Sequence, residues 1–246
     1  SPEQRPPVSQ AAYKAIGSRM FVDPLKPATV EELLSGMIVQ SGNDASVALA
    51  EATAGSEEAF AQMMNREAQR LGLKSTHFVN ATGMPDPQHY TTARDLGTLA
   101  AALIRDYPEH YPLYALREYT YNRISQANRN RLLRLDPAVD GVKTGHTENA
   151  GYCLVASAKR GPRRLLSVVM GAASDGMRTQ ESQKLLNFGF QFFDSVKLYG
   201  KDQEVSRLRV WKGAQNTVRA GFLEDFTLSL PKGMAENLKA SLVSQQ

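Results

Sequence analysis

Apolar residues recur every three to four positions through the first hundred residues, which predicts helices. Thr29 and Glu32 form a capping-box pattern, so a helix is predicted over 30–39. Its apolar positions are Leu33, Leu34, Met37 and Ile38. The pattern breaks at 40–43 and a second apolar helix resumes at Asp44, which places Ser41 and Asn43 in a short connection between two packed helices.

Two further helices are predicted before residue 110. One begins near Ser56 and ends at Gly72, because glycine readily adopts the left-handed turn that stops a helix. The segment 76–91 is rich in turn residues, and Thr92 with Asp95 then caps another helix that ends before Pro108. The apolar positions of the first of these helices, whose methionines we interpret as core rather than as a cofactor site, are Phe60, Met63, Met64 and Leu71.

The second half of the chain alternates apolar and polar residues, which is strand patterning. The chain is predicted to be extended from Tyr119, with a polar loop at 125–131 and a hairpin of strands 151–158 and 164–170 around the turn 159–162. Strands are also predicted within 204–211 and 226–230. A long helix over 178–193 separates the two groups, with its apolar face formed by Leu185, Leu186, Phe190 and Phe193.

These elements predict an α/β chain of the α+β kind, in which helices flank an antiparallel sheet. The loss of helical pattern after Gly200 predicts a domain over 1–198 and the start of a small all-β domain over 199–246. With 246 residues, 42% hydrophobic and 22% charged, the composition is that of a globular protein. The longest apolar runs fall short of the roughly 18 residues of a membrane span.

Charge and reactive residues narrow the function. The net charge is +4, with the excess in the middle of the chain, which favours an anionic substrate or surface. The basic stretches lack the interleaved aromatic residues of nucleic-acid sites, so no nucleic-acid partner is expected. Cys153 is the single cysteine, which excludes an internal disulfide. No metal or cofactor is expected, since metal-ligand spacing is lacking among His77, His89 and His110.

Two short motifs carry candidate chemistry. Ser41 and Asn43 form a Ser-x-Asn motif between helices, and a Lys-Thr-Gly motif stands at the start of a strand in the run GVKTGHTENAGYCLVASA. Gly145 lacks a Cβ, so a substrate backbone could approach closely there. Each motif alone has a simpler interpretation, because serine and asparagine favour helix caps and Lys143 could be a solvated charge at a strand end. Their order is typical of the penicillin-recognising serine enzymes.

From about residue 8 to its end, the sequence resembles the low-molecular-mass penicillin-binding proteins that are D-alanyl-D-alanine carboxypeptidases. The resemblance is carried by LLSGMIVQSGNDASVALAE, GLKSTHF, YTTARDLG, ALIRDYPEHY, NRNRLL, VDGVKTGHTENAGYCLVASA and KLLNFGFQFF. It implies a β-lactamase/transpeptidase-like fold and a serine enzyme that binds penicillin. Such an enzyme removes the terminal D-alanine from peptidoglycan stem peptides through an acyl-enzyme, without a cofactor.

The resemblance also implies roles for individual residues. Ser41 passes a proton to the leaving nitrogen with Lys143 beside it, and Asn43 bonds the substrate amide. The backbone N–H of His146 forms half of the oxyanion hole, and Gly145 lets the peptide reach the strand edge. The terminal carboxylate is bound by Thr144, Thr147 and Arg178, with Arg129 as a further candidate.

A Ser-x-x-Lys motif at a helix start supplies the nucleophile in this family. No such motif precedes Ser41, and Ser229–Lys232 ends an alternating strand, so we interpret it as a chance match. We therefore expect the chain to begin after the nucleophile helix and to lack part of the β domain, and not to form an acyl-enzyme with penicillin on its own. The resemblance implies a periplasmic protein that is associated with the inner membrane in its full-length form, through a C-terminal anchor absent here.

Two alternatives remain open. A class A β-lactamase shares this chemistry, but no glutamate between 44 and 142 begins its Glu-x-x-Leu-Asn pattern. The second alternative is a non-catalytic protein that binds peptidoglycan without cleaving it. All of these interpretations require the Ser-x-Asn motif and the strand edge at Lys143 to converge on one cleft.

Overall fold

The computed structural model describes residues 1–239 and 241. The α-helices are α1 Gln10–Tyr13, α2 Val30–Val39, α3 Asn43–Ala54, α4 Glu57–Arg70, α5 Ala93–Asp106, α6 Leu132–Leu135 and α7 Asp175–Phe192. The strands are β1 Glu118–Tyr121, β2 Ile124–Ala127, β3 Val139–Thr147, β4 Gly151–Arg160, β5 Arg163–Ala172, β6 Phe193–Tyr199, β7 Glu204–Arg209, β8 Thr217–Gly221 and β9 Phe226–Pro231. Two 3₁₀ helices are η1 Tyr111–Ala115 and η2 Ala235–Asn237.

The predicted helix over 30–39 is confirmed as α2. Its capping box is complete: Glu32 N–H donates to Thr29 Oγ1 at 3.1 Å, and Thr29 N–H donates to Glu32 Oε2 at 2.7 Å. The apolar face carries Leu33 into a buried cluster with residues of the N-terminal segment and of α3. The remaining buried members of this cluster are Ala12, Met20, Val22, Ala28, Ala45, Val47 and Ala48.

The helices predicted to follow are confirmed as α3, α4 and α5. Ser56 caps α4 by accepting from Ala59 N–H at 3.1 Å, and Gly72 has φ +72° after its end. The core assignment of Met63 is wrong, since it is 38% exposed. The buried positions of α4 are instead Ala61 and Ala68.

The central sheet has three antiparallel strands in the order β3-β4-β5. The predicted hairpin is confirmed as β4 and β5. β3 begins at Val139, so Lys143 lies within the strand and not at its start, which corrects the sequence prediction. Asp140 and Gly141 interrupt the apolar alternation and concealed this strand in the sequence. Among the described residues β3 pairs only with β4, so its other edge has no strand partner.

A second hairpin corrects another prediction. Residues 125–131 were expected to form a loop, but β2 pairs with β1 up to Ala127. The turn is made by Asn122 and Arg123, with φ +48° and +64°. Positive φ at both turn residues suits the twist of a tight hairpin. Arginine is unusual at such a position, which explains why the turn was missed.

The structure divides into two compact units, Ser1–Leu186 and a second that begins at Asn187. Within the described part of the second unit, β6 pairs with β9 and β7 pairs with β8. β7 and β9 were predicted, whereas β8 was not. The domain boundary near 198 remains a prediction.

Helix α7 crosses the division between the units. Leu186 and Phe190 are buried as predicted, but Leu185 is 49% exposed and Phe193 belongs to β6.

Candidate active site

Ser41 lies in a sharp backbone turn between α2 and α3. Its φ of +55° is in the left-handed region, which is rare for residues other than glycine and is found at functional sites. Gly42 N–H donates to Gly36 O at 3.2 Å and Asn43 N–H donates to Ser18 O at 2.7 Å, so both sides of the turn are tied down.

The helix-cap interpretation of the Ser-x-Asn motif is wrong. Gly42 occupies the N-cap of α3 without a side-chain bond, and Asn43 is the first residue of the helix rather than part of the connection. The Asn43 amide donates from Nδ2 to Ile16 O at 2.7 Å. This bond orients the side-chain amide and leaves its Oδ1 as an acceptor.

Asp44 anchors the segment that faces this turn. Its side chain is 1% exposed and accepts four backbone hydrogen bonds of 2.8–3.1 Å. Three come from the N-terminal segment and one from α3, so the carboxylate joins these two parts of the chain beside Ser41. The donors are the N–H groups of Met20, Phe21, Val22 and Ala45.

Lys143 contacts Ser41, which lies 102 residues earlier in the sequence. Its Nζ donates to Ser41 Oγ, and to Thr144 O at 3.0 Å. Burial lowers the pKa of Lys143 to about 8, and the positive charges of Arg129 and Arg178 contribute to the shift. The alternative of a solvated strand-end charge is therefore wrong. The contact brings the two motifs into one site.

The residues after Lys143 form the unpaired edge of β3. Thr144 is 9% exposed, whereas Gly145 and His146 are exposed at this position. Thr147 Oγ1 accepts from Ala150 N–H at 3.0 Å, so its own hydroxyl proton can be donated to another group. The edge thus offers backbone groups and hydroxyl donors next to a cationic Lys143.

The two arginines predicted to bind a carboxylate differ in their surroundings. Arg129 is exposed, and its charge acts on Lys143. Arg178 is only 5% exposed: its Nε and Nη2 donate to Asp175 Oδ1 at 3.0 and 2.6 Å, and its Nη1 donates to Gly145 O and Cys153 O at 3.0 and 3.2 Å. The geometry places Arg178 against β3 and β4, with most of its donors already in use.

Sequence reasoning missed two residues of this site. Asp175 holds Arg178, and its Oδ2 also accepts from Arg131 Nη1 at 3.4 Å. The spacing of three between Asp175 and Arg178 on one helix is a signal that could have indicated the pair. The Tyr152 ring packs against the His146 ring with centroids 4.0 Å apart and planes tilted by 34°. Tyr152 on β4 lies directly opposite His146 in the strand pairing.

The Ser229–Lys232 match lies elsewhere. Ser229 is on β9, paired with Ser195, and the motif runs off the end of this strand rather than starting a helix. The sequence interpretation of this motif as a chance match is in keeping with that position.

Comparison with known proteins assigns the family. The family described as D-alanyl-D-alanine carboxypeptidase matches residues 3–174, which is more than half of the chain. The chain belongs to this family. A second match, described as the C-terminal domain of penicillin-binding protein 5, covers residues 193–246.

The D-alanyl-D-alanine carboxypeptidase DacC of Escherichia coli is 47% identical over 225 residues, which is 91% of this chain and 56% of that protein. DacA of Haemophilus influenzae is 45% identical, over 91% of this chain and 57% of that protein. The chain therefore spans little more than half the length of these relatives.

Solved structures agree with the predicted fold class. Penicillin-binding protein 5 from Haemophilus influenzae superposes with a TM-score of 0.90 at 41% identity, over 96% of this chain and 70% of that one. The Streptomyces K15 DD-transpeptidase superposes with a TM-score of 0.74 at 27% identity, over 78% of this chain and 80% of that one. In the part of the chain that the structure describes, every helix is too short or too polar to cross a bilayer.

Proposed function

We propose that the full-length protein is a serine-type D-Ala-D-Ala carboxypeptidase that shortens peptidoglycan stem peptides and is acylated by β-lactams. The contact between Lys143 Nζ and Ser41 Oγ, beside the exposed edge of β3, is the observation that carries this proposal. It unites a proton-transfer pair with a strand edge along which a peptide end can lie. Family membership supports the same reaction class.

The reaction proceeds in two steps. A serine adds to the carbonyl carbon between the two D-alanines, the C–N bond breaks, and the leaving amine takes a proton. Water then adds to the ester and releases the shortened peptide. We propose that the attacking serine belongs to a Ser-x-x-Lys segment in the part of the relatives' length that this chain does not span. The base of that segment takes the proton of the attacking serine, and Ser41 passes a proton to the leaving nitrogen and regains one from this base.

Lys143 acts on Ser41 and on the substrate. As an ammonium it orients the Ser41 hydroxyl through the hydrogen bond between Nζ and Oγ, and it stabilises the negative charge that develops nearby. Asn43 bonds the substrate amide: its Nδ2 is held by Ile16 O, and its Oδ1 can accept from the substrate N–H. The N–H of His146 donates to the oxyanion, next to Gly145, where no side chain obstructs the peptide.

The terminal carboxylate lies near the end of the same edge. Thr147 donates its free hydroxyl proton, Thr144 contributes a second hydroxyl, and Lys143 provides positive charge. Arg129 is exposed and adds to the positive field that attracts the carboxylate. Arg178, which the sequence predicted as a further carboxylate ligand, makes four hydrogen bonds within the protein.

The substrate determines where the protein works. Stem peptides are cell-wall components, so we propose that the full-length protein acts in the periplasm, with attachment to the inner membrane through a segment other than those described. This location rests on the substrate class and on the names of the relatives.

The experiment that tests this function is D-alanine release by the full-length protein from a peptide ending in Lys-D-Ala-D-Ala. Ser41→Ala is expected to lower kcat by roughly 10²- to 10⁴-fold, the usual contribution of a positioned proton donor. Ser195→Ala, an exposed serine on β6, is the matched control and keeps the wild-type rate. A Ser41→Ala variant with the wild-type kcat would overturn the assignment.

The two alternative functions predict different results when β-lactam hydrolysis and peptide binding are measured beside D-alanine release. Hydrolysis of a chromogenic β-lactam far faster than D-alanine release would indicate a β-lactamase. Peptide binding without release of D-alanine, and without acylation by penicillin, would indicate a non-catalytic peptidoglycan-binding protein. Either result would replace the carboxypeptidase proposal.

A further inference from the structure

Arg178 has almost no capacity left to bind a substrate carboxylate. A guanidinium carries five N–H donors, and four of them are used within the protein. The residue is also 5% exposed. Its positive charge is partly neutralised at close range by Asp175, whose Oδ1 lies 2.6 Å from Nη2. These contacts suit a residue that acts on the protein backbone.

The two carbonyl groups that Arg178 contacts belong to paired residues. Gly145 on β3 stands opposite Cys153 on β4. Residues paired in an antiparallel sheet direct their carbonyls either towards each other or outwards on opposite sides. One nitrogen, Nη1, reaches both oxygens, at 3.0 and 3.2 Å, which requires both carbonyls to point into the space between the strands.

This orientation fixes the direction of the next backbone donor. The peptide bond between Gly145 and His146 is trans, so its N–H points opposite to its C=O. Because the carbonyl of Gly145 points towards β4, the N–H of His146 points to the unpaired edge of β3. Arg178 therefore holds one end of the peptide group whose other end is the proposed oxyanion donor.

We propose that Arg178 is a positioning residue of the oxyanion hole, acting through the Gly145–His146 peptide group rather than on the substrate carboxylate. The inference rests on the proposed function, since it needs an oxyanion at the β3 edge. A charged donor on the carbonyl oxygen polarises the amide, and chains of hydrogen bonds strengthen one another. The His146 N–H thereby becomes a stronger donor, in a fixed direction, before the substrate arrives.

A second set of contacts holds the same peptide group. The His146 and Tyr152 rings are in contact, with centroids 4.0 Å apart, and the Arg178 guanidinium lies 5.4 Å from the centre of the Tyr152 ring. Asp175 fixes the other side of the guanidinium and is itself bonded to Arg131. Rotation of the His146 peptide would break the ring contact and the Arg178 bonds together, which is what a preorganised donor requires.

The test compares two esters with the full-length protein: an N-acyl-D-alanyl-D-lactate, which has a terminal carboxylate, and the matching D-lactamide, which does not. Arg178→Lys is expected to lower kcat for both esters by roughly 10-fold or more, less than the 10²–10³ typical of losing a whole oxyanion donor. KM for either ester changes by less than about 3-fold, because ground-state contacts remain. Lys184→Gln, on the exposed face of α7, is the control and leaves both rates unchanged.

The outcomes separate the two roles. A loss confined to the lactate ester, with a raised KM, would make Arg178 a carboxylate ligand and overturn the proposal. Unchanged rates for both esters would overturn it as well. If the wild type cleaves neither ester, the proposed function fails, and this result differs from a defect seen only in the variant.

A spectroscopic measurement on the 246-residue chain needs no catalysis. The ¹⁵N and ¹H shifts of the His146 amide report the hydrogen bond on the preceding carbonyl. Asp175→Asn weakens the hydrogen bonds that Arg178 makes to this side chain without removing them. Arg178→Lys replaces the forked guanidinium by a single ammonium group. Both are expected to shift the His146 amide upfield, with the larger change in Arg178→Lys and none in Lys184→Gln. A His146 amide that stays at its wild-type position in both would refute the coupling, and a folded spectrum elsewhere shows that the variants are intact.

Discussion

Lys143 combines a buried position with two cationic neighbours. Its pKa is lowered to about 8 by burial first, and by Arg129 and Arg178 second. Near neutral pH it is still mostly protonated, which suits the role of holding the Ser41 hydroxyl and attracting a carboxylate. The same low pKa lets it release a proton at moderately alkaline pH, so both stability and function depend on pH around this residue.

The pH dependence of stability is the first prediction. An unfolded lysine titrates near 10.5, whereas Lys143 in the folded chain titrates near 8. Between these values the unfolded chain binds more protons, so the free energy of unfolding rises with pH. Denaturant titrations measure the free energy of unfolding of the wild type and of Lys143→Met. The value for the wild type minus that for the variant is expected to rise from pH 8 to 10.5, and this gain is lost as the pH falls through 8. Lys184→Met, at an exposed position of α7, is measured alongside as the control variant. A flat or shrinking difference for Lys143→Met would contradict the burial.

Several residue-scale features were predictable and others were not. The Ser-x-Asn and Lys-Thr-Gly motifs are visible in sequence, and the family resemblance placed them in one cleft. That Arg178 is engaged by Asp175 and by two backbone carbonyls was not visible, because carbonyl directions depend on the strand pairing. The left-handed backbone of Ser41 was also hidden, since serine rarely adopts it.

At the scale of elements, the helix boundary beside Ser41 depends on Asp44. This carboxylate accepts four backbone N–H bonds and ties the N-terminal segment to α3. A buried N–H group that loses its acceptor has still been removed from water, but it no longer gains a hydrogen bond in return, so the folded state is destabilised. The position of the Ser-x-Asn turn thus depends on a residue that sequence analysis treated only as a helix start.

Asp44→Ala is expected to lower the free energy of unfolding by about 3 kcal/mol, because several backbone donors are left unpaired. Urea denaturation followed by circular dichroism measures the loss. Asp23→Ala, in the same segment, removes one bond to Leu25 N–H near the surface and is expected to cost less than about 1 kcal/mol. Equal costs for the two variants would contradict the anchoring role of Asp44.

The capping box of α2 gives a second prediction at this scale. Thr29→Ala removes the acceptor for Glu32 N–H and is expected to cost about 1 kcal/mol of stability. Thermal or urea denaturation checks this value. The comparison is Thr53→Ala, whose hydroxyl bonds to Leu49 O inside α3 and contributes little. No loss of stability in Thr29→Ala would count against the cap.

Elements with strong local signals were predicted, and the others were not. Thr29, Ser56 and Thr92 all mark helix starts that the structure has. β3 was placed too late, because its first residues lack a regular alternation and are stabilised by pairing with β4. β2 was missed for a similar reason: its polar residues are held by the hairpin with β1 rather than by a buried face.

On the scale of the whole molecule, ion pairs with aspartates neutralise several of the basic residues in the middle of the sequence. Four arginines pair with aspartates: Arg131 and Arg178 with Asp175, Arg160 with Asp136, and Arg164 with Asp140. The positive charges of Arg129 and Arg178 act on Lys143. Ion pairing therefore offsets part of the basic excess, which counting charges in the sequence could not show because it cannot assign partners.

The central claim is that Ser41, Asn43 and the β3 edge form one recognition site for a D-Ala-D-Ala end. The most direct measurement is an NMR titration of the ¹⁵N-glycine-labelled chain with a peptide ending in D-Ala-D-Ala and, as control, one ending in D-Ala-L-Ala. The account predicts saturable shifts of the Gly42 and Gly145 amides with the first peptide alone, and no change at Gly213 or Gly221 in the second unit. No saturable shift at Gly42 and Gly145, or equal shifts with both peptides, would contradict it.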